Sequence, residues 1–511
     1  MYPGKWGARR PDEAAIIMAN TGETVTHAEL DAGSNRVAHF LRAAGLRRGD
    51  GVAVLLENHR RYYEIVWAAW RSGLYVTPIN WHLSTDEAAY IVEDSGARIL
   101  ITSAGVANHS VSITTPTLER RLMMDGLTPD AEASGWEHYE PLIDAQPGTP
   151  LEDESEGSIM FYSSGTTGRP KGVLRALPEI ATWEYPEGES PIEQRNVFGF
   201  DEDAVYLSPA PLYHAAPLAY GLRIHMFGGA VVVMDRFDPT AALVAIERYG
   251  ITHSQWVPTM FVRLLDLPDD VKTAHDLSTH RVAIHAAAPC PRAVKQQMMD
   301  WWGPIIYEYY AGSEGFGRTT IGPQDWLAHP GSVGKADPEV IFILDENSNE
   351  LPAGESGLIH FNPTASFQYK GDAEKTAGAM SPQGFATYGD IGYIDDDGYL
   401  FLTDRKSFMI ISGGVNIYPR ETEDVLIAHP AVLDAGVFGI PHPDLGEEVR
   451  AAVELQPGYE PSDELAAEII TYCRDHLSHF KCPRSVDFSD ALPRLPTGKL
   501  RKAELRAPYW S

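Results

Sequence analysis

The chain has 511 residues, 44% hydrophobic and 22% charged, which is long enough for more than one folding unit and too apolar for wholesale disorder. Lys and Arg number 41 against 71 Asp and Glu, and the resulting formal charge of −30 argues against a general nucleic-acid binder and against docking on an anionic membrane. Three scattered cysteines, Cys290, Cys473 and Cys482, exclude a disulfide scaffold and a cysteine-rich zinc site. No apolar signal core follows Met1 to Trp6. The most apolar long stretch, Leu218 to Met234, is broken by Arg223, His225 and Gly228-Gly229, so no stable membrane insertion is expected. A soluble, cytoplasmic protein is the expectation.

The first hundred residues alternate helix and strand signals. Thr26-His27-Ala28-Glu29 reads as a capping box opening an amphipathic helix that stops at Gly45. Gly51 to Leu56 predicts a short apolar strand, Tyr63 to Ser72 a helix, and Tyr75 to Ile79 another strand. Ser84-Thr85-Asp86-Glu87 caps a further helix ahead of the strand Arg98 to Thr102. Residues 130 to 157, acidic and rich in Gly, Pro, Ser and Glu, read as a surface connection. Strand-like runs return at Ala204 to Ser208, Ala230 to Met234, Ile251 to Val257 and Arg281 to Ala286, with helical runs between. Apolar strands separated by helices predict a large layered α/β region.

A boundary is predicted near 404–407, giving a domain of 1–404 and a smaller one of 405–511. Beyond it, Arg420 to Ala428 reads as a helix, Val449 to Leu455 as a strand, and Ser462 caps a helix bearing Leu465, Ile469 and Ile470. That makes a small α+β domain. Its last segment is locally basic, with Lys481, Arg484, Arg494, Lys499, Arg501, Lys502 and Arg506 facing only Asp487, Asp490 and Glu504. Such a tail on an acidic protein suggests an anionic ligand.

The most informative segment runs from Phe161 to Val173. Ser163, Ser164, Gly165, Thr166, Thr167, Gly168 and Lys171 place four hydroxyls, glycine freedom and a positive charge after a strand-like run. Inward backbone N–H groups, directional donors and a lysine are the chemistry of a polyphosphate cradle. The P-loop of nucleoside triphosphatases fails here at two positions, because Pro170 stands where its second glycine belongs and Gly172 follows the lysine. The bland alternative is an idle Ser/Thr/Gly surface loop.

This segment resembles the signature loop of the adenylate-forming superfamily, specifically its acyl-CoA synthetase branch, and further segments fit that family in order along nearly the whole chain. The resemblance implies a large amino-terminal α/β domain that binds ATP and the acid, and a mobile carboxy-terminal cap. It implies a two-step reaction using ATP, Mg2+ and coenzyme A. A carboxylate attacks the α-phosphate to give acyl-adenylate and pyrophosphate, and a thiol then displaces AMP.

Tyr309-Tyr310-Ala311-Gly312-Ser313-Glu314 resembles the family's Tyr-Gly-x-Thr-Glu segment, with Ala311 for Gly and Ser313 for Thr. The match implies Tyr310 against adenine, Ala311, Gly312 and Ser313 around the nucleotide, and Glu314 with Thr166 at Mg2+. A hard cation takes oxygen ligands, which suits both. Ala287, Ala288 and Pro289 fall where the family has a Gly-Gly-Ala-Pro wall beside adenine. Asp390 in Tyr388-Gly389-Asp390 and Arg405 match the residues that reach the ribose, and a carboxylate's two oxygens suit two hydroxyls.

Tyr213-His214 matches a segment between the nucleotide and acyl sites, with His214 as a gate rather than a general base. Tyr220, Trp183, Trp256, Thr259 and Met260 complete the expected acid pocket, Trp256 to Met260 resembling the family's Val-Pro-Thr segment. Gly413 and Gly414 resemble the loop that lines the pantetheine channel, and Lys499 in Pro496-Thr497-Gly498-Lys499 the lysine that bridges carboxylate and α-phosphate. Each alone has a plainer reading: core aromatics, a satisfied histidine, β-turns, a solvated lysine.

The acid is expected to be a hydrophobic monocarboxylate, fatty, alicyclic or aromatic, because the pocket residues are apolar or aromatic. The alternative keeps adenylation but loads a phosphopantetheine carrier protein. A nucleotide-binding regulator without activity is disfavoured by Lys171, Glu314, Asp390 and Lys499 standing together, and a homodimer is left open. One departure concerns the hinge, where Ser407 replaces the family's usual Asp or Lys. If the cap rotates about this point, Ser407→Pro should slow thioester formation far more than adenylation. Equal loss of both half-reactions, measured as acid-dependent pyrophosphate exchange and thioester yield, would refute the hinge.

Overall fold

The structure is a computed structural model that describes all residues except 1, 164–169, 179–184, 186–189, 364–366, 414, 495–499 and 511. It divides into two compact units: Met1–Gln255 with Leu267–Ala283 and Ser366–Ala377, and Trp256–Asp266 with Ile284–Ala365 and Gly378–Ser511.

In the first unit, the strands Glu137–His138, Arg120–Met124, Ala97–Ser103, Gly51–Leu55, Tyr75–Pro78 and Ser158–Ile159 lie side by side, all parallel. Gly51–Leu55 is buried throughout, as a strand covered on both faces must be. Ala53, Leu55, Leu100, Ile91 and Val92 belong to one apolar cluster against it. A second parallel set pairs His253–Trp256, Val205–Ser208, Ala230–Val233 and Ala14–Met18, edged by the antiparallel Thr24–Thr26. A third, antiparallel set joins Tyr162–Ser163, Lys171–Arg175 and Phe367–Tyr369.

Both capping boxes form as the sequence predicts. Thr26 opens His27–Ala43 and Ser84 opens Thr85–Ser95, each exchanging hydrogen bonds with the glutamate three residues on. The segment 130–157 is not merely a surface connection. It holds the helices Pro129–Ala133 and Tyr139–Asp144 and the edge strand Glu137–His138, with Trp136, Tyr139 and Ile143 buried. Elements this short give no readable periodicity, so the sequence hides them.

The second unit carries an antiparallel sheet in the order Ser332–Lys335, Tyr399–Arg405, Asp390–Ile394, Gly357–Phe361 and Ile341–Leu344. The strand Ile306–Ala311 pairs with Arg318–Ile321. Towards the carboxy terminus, Val432–His442 and Gly446–Leu455 form a long hairpin, with Ser485–Phe488 parallel to the latter. The helices Pro419–Ile427 and Asp463–His476 bury Leu426, Leu465, Ile469 and Cys473 in the same apolar cluster as Val437, Val449 and Val453. All three cysteines are buried and free.

Five of the tail's seven cations are paired within this unit. Lys481 pairs with Glu421, Arg494 with Asp434, Arg501 with Glu504, Lys502 with Glu423 and Arg506 with Glu447. These five are therefore not free to seek an anion, and every partner except Glu504 lies outside the tail. Arg484 is exposed.

Both units bury neutral histidines. Within the first, His225 accepts from Trp67 Nε1 at 3.3 Å and faces the Ala15 carbonyl at 3.0 Å, while His280 meets Ser254 Oγ at 2.6 Å. Burial lowers His225, His280 and His285 to about 3, and His214 and His253 to about 4. An unfolded histidine titrates near 6.5, so below that pH the unfolded chain binds protons that the folded chain refuses. The contribution is therefore intact above pH 6.5 and is lost as pH falls, by about 2 kcal/mol per histidine at pH 5. Thermal unfolding followed by circular dichroism should show a midpoint that drops steeply from pH 6.5 to pH 5, and a flat profile over that range would contradict the burial.

Candidate active site

In the first unit, Tyr162–Ser163 and Lys171–Arg175 form a hairpin with Ser163 opposite Lys171 and Tyr162 opposite Gly172. This brings the two ends of the predicted phosphate loop together. Ser164, Gly165, Thr166, Thr167 and Gly168 lie outside the described residues, as does the Ser163 side chain. The hairpin is anchored from both sides, Tyr162 Oη donating to Asp94 at 2.6 Å and Tyr75 Oη to the Arg175 carbonyl at 2.7 Å. Lys171 Nζ rests 3.4 Å from Asp372 Oδ2, a partly exposed pair that an incoming phosphate can replace.

His214 opens the helix Ala215–Phe227, and its ring lies 4.4 Å from that of Tyr213. Burial, with His82 nearby, lowers the His214 pKa to about 4, so the ring is neutral at pH 7 and a poor proton acceptor. Tyr220 is buried beside Phe198 and Phe200. Asn58, which the sequence reading missed, holds this segment in place. Its Nδ2 donates to the Ala210 and Met234 carbonyls at 3.2 and 2.7 Å, and its Oδ1 accepts from Leu212 N–H at 2.8 Å. A buried amide directly after an apolar strand was the available signal. Trp183 lies outside the described residues.

In the second unit, Tyr310 and Ala311 end the strand Ile306–Ala311. Tyr310 Oη donates to Asp390 Oδ2 at 2.7 Å, and Arg405 Nε donates to Asp390 Oδ1 at 2.9 Å. Asp390 and Arg405 are opposite one another in the antiparallel ladder, so sheet register alone delivers the pair. Burial and the adjacent carboxylate push the Tyr310 phenol well above its usual pKa.

The loop that carries Ser313 and Glu314 is pinned by Tyr388. Its hydroxyl accepts from Phe316 N–H at 2.8 Å, donates to the Gly317 carbonyl at 3.0 Å, and its ring stacks on Phe316 at 4.8 Å. Gly312 permits this, since a Cβ there would lie 2.3 Å from the Tyr388 ring. The Glu314 carboxylate is an oxygen donor of the kind Mg2+ requires, and it is partly exposed.

Ala287 adopts φ 75°, a left-handed conformation that a glycine would occupy without strain. Beneath the Ala287-Ala288-Pro289 segment lies a buried ionic cluster. Lys295 Nζ is 2.6 Å from Glu308 Oε2, and the neutral His285 ring is 3.4 Å from the same oxygen. Burial alone would raise the Glu308 pKa, but the Lys295 ammonium outweighs it and holds the carboxyl below its ordinary value.

Trp256 and Met260 are buried and Thr259 is half-buried, with Trp256 5.3 Å from Trp302. Gly413 turns the hairpin of Ile410–Ser412 and Val415–Ile417 with φ 59°, while Gly414 is outside the described residues. Lys499 is also outside them, but both ends of its segment are fixed. Arg494 forks onto Asp434 at 2.7 and 2.6 Å and bridges to Leu500.

The chain matches the AMP-binding enzyme family over residues 4–366 and the AMP-binding enzyme C-terminal domain over residues 421–499. The chain belongs to the AMP-binding enzyme family. A fatty acid–acyl-carrier-protein ligase from Streptomyces coeruleorubidus is 32% identical to it, over 96% of this chain and 92% of that protein. A feruloyl-CoA synthase from an Amycolatopsis species is 32% identical over 99% of each. Among solved structures, the o-succinylbenzoate CoA synthetase of Bacillus subtilis, in complex with its acyl-adenylate intermediate, superposes with a TM-score of 0.81. It is 27% identical and covers 98% of this chain and 97% of its own. This chain is accordingly an AMP-forming acid–thiol ligase of the adenylate-forming superfamily. The acids in those names differ widely, so the family does not restrict this chain to fatty acids. Among the described residues, no helix is long and apolar enough to cross a membrane.

Two substitutions separate a glycine that is needed from an alanine that is merely tolerated. Gly312→Ala should destabilise by about 1–3 kcal/mol through overpacking against Tyr388. Ala287→Gly should be neutral or stabilising by up to about 1 kcal/mol, because relief of strain is offset by glycine's greater freedom when unfolded. Denaturant midpoints measure both, and equal losses would contradict the geometry.

Proposed function

We propose that this enzyme activates a hydrophobic monocarboxylic acid, fatty, alicyclic or aromatic, as its acyl-adenylate and then transfers the acyl group to coenzyme A. Residues 1–404 act as the ATP- and acid-binding domain and residues 405–511 as a mobile cap. The single observation that carries the nucleotide reading is the Asp390 carboxylate, fixed by Tyr310 and Arg405 with oxygen lone pairs to spare for two ribose hydroxyls.

In the first step a carboxylate oxygen of the acid bonds to the α-phosphorus of ATP, the bond to the β-phosphate's bridging oxygen breaks, and pyrophosphate leaves. The loop Ser163 to Gly168 and Lys171 hold the β- and γ-phosphates, and Ala287, Ala288, Pro289, Ala311 and Gly312 flank the base. Ser313 bonds near the α-phosphate. Lys499 offsets the charge that develops between carboxylate and phosphate. A bound Mg2+ would supply Lewis-acid neutralisation of the phosphates, with Glu314 and Thr166 as its oxygen donors. In the second step the thiol sulfur bonds to the acyl carbon and AMP departs, with Gly413 and Gly414 beside the pantetheine arm. Tyr213, Tyr220, Trp256, Thr259 and Met260 line the acid, and the neutral His214 gates it.

The alternative thiol is a carrier protein's phosphopantetheine, favoured by the likeness to the Streptomyces ligase. AMP release scored across carboxylic acids, with coenzyme A or a holo carrier protein, decides between the thiols. Lys499→Ala should cut acid-dependent pyrophosphate exchange by about 100-fold or more while thioester formation from supplied acyl-adenylate continues. Exchange at the full rate would overturn the assignment.

A further inference from the structure

Two sets of parallel strands in the first unit direct their carboxyl ends to one seam. The loop after Gly51–Leu55 carries Asn58, which bonds to the chain just beyond Val205–Ser208 and Ala230–Val233. Ligands of α/β folds gather at such carboxyl ends.

The same seam collects buried polar groups that the protein does not satisfy. Tyr62 and Tyr63 begin the helix Tyr62–Arg71, and both are fully buried. Tyr213, 5% exposed, follows Leu212 and lies against His214. The hydroxyls of Tyr62, Tyr63 and Tyr213 and Nε2 of His214 have no hydrogen-bond partner among the described residues. Tyr62 interacts electrostatically with both other tyrosines, so these groups share one neighbourhood. Tyr63 cannot swing away toward the helix Ala215–Phe227, since its hydroxyl already sits where a Cβ on Gly221 would be. The Tyr63 and Ser208 hydroxyls interact, but off the geometry of a hydrogen bond. A buried hydroxyl left unpaired is costly, and several at one place call for an occupant.

We infer that the acid carries a neutral oxygen substituent, hydroxyl or oxo, remote from its carboxylate, and that Tyr62 and Tyr213 bond to it. This rests on the acid-activating reading and narrows it from any hydrophobic acid to an oxygenated one. The substituent is neutral because its partners are. Burial raises both phenols, so neither carries charge at pH 7. A phenol can donate or accept, which fits both hydroxyl and oxo groups.

The test pairs acids that differ only in this group, 4-hydroxycinnamate with cinnamate and 8-hydroxyoctanoate with octanoate, and compares kcat/KM for AMP release. A site built for hydrogen bonding rejects the analogue that lacks the group, so the oxygenated member of at least one pair should be preferred by about 100-fold or more. Tyr62→Phe and Tyr213→Phe should each shrink that ratio about tenfold or more. Both variants should also raise the thermal midpoint of the ligand-free enzyme, because each deletes an unsatisfied hydroxyl. Equal use of both members of each pair, or a lowered midpoint in the variants, as an ordered water satisfying the hydroxyls would give, overturns the inference. If no acid releases AMP, the acid-activating reading fails by itself, and the midpoints still decide whether the hydroxyls await a partner.

Discussion

Asp390 ties together separate strands of the second unit because its two oxygens are committed in different directions. One takes the Arg405 guanidinium across the antiparallel ladder, and the other takes the Tyr310 hydroxyl. The carboxylate is thereby oriented without help from a ligand, and each oxygen keeps an unused lone pair. The end of the strand Ile306–Ala311 is tied to the sheet that ends at Arg405, and the chain leaves that sheet through the bond from Lys406 N–H to the Gly389 carbonyl. The Ser313-Glu314 loop depends in turn on Tyr388, two residues before Asp390. Preorganisation of this kind holds the site's geometry before any nucleotide arrives.

Charge is handled in the same economical way. A chain of net charge −30 still buries Lys295 against Glu308, and it pairs five of the tail's cations with carboxylates of residues 421–447 and 504. A buried ion pair adds little net stability, but removing one partner leaves a desolvated charge behind. The Lys295–Glu308 pair therefore fixes where the helix Arg292–Trp302 meets the strand Ile306–Ala311, next to the segment in which Ala287 holds its strained conformation.

The polar seam around Tyr62 and Tyr213 shows the opposite treatment. Here the structure leaves the Tyr62 and Tyr213 hydroxyls unmatched among the described residues, although Asn58 in the same seam uses both its amide nitrogen and its oxygen. Stability is given up where a ligand is to be recognised. The aromatic composition that makes the pocket look purely apolar in sequence conceals this, since tyrosine presents either a ring or a hydroxyl depending on its packing.

Local chemistry was legible from the sequence alone. Capping boxes at Thr26 and Ser84, the apolar strand Gly51–Leu55 and the Ser462 cap depend on neighbours within four residues, and the structure has them as read. The ordered motifs likewise identified the superfamily, because phosphate, ribose and metal chemistry each demand particular side chains at short spacing. Tertiary structure decided what depends on partners beyond the local turn. It paired most of the basic tail, put Asp390 opposite Arg405, revealed the short elements hidden in 130–157, and left the Tyr62 and Tyr213 hydroxyls waiting. Hydrogen bonds and ion pairs act over a few ångströms of space, and sequence distance carries no information about that separation once the chain has folded.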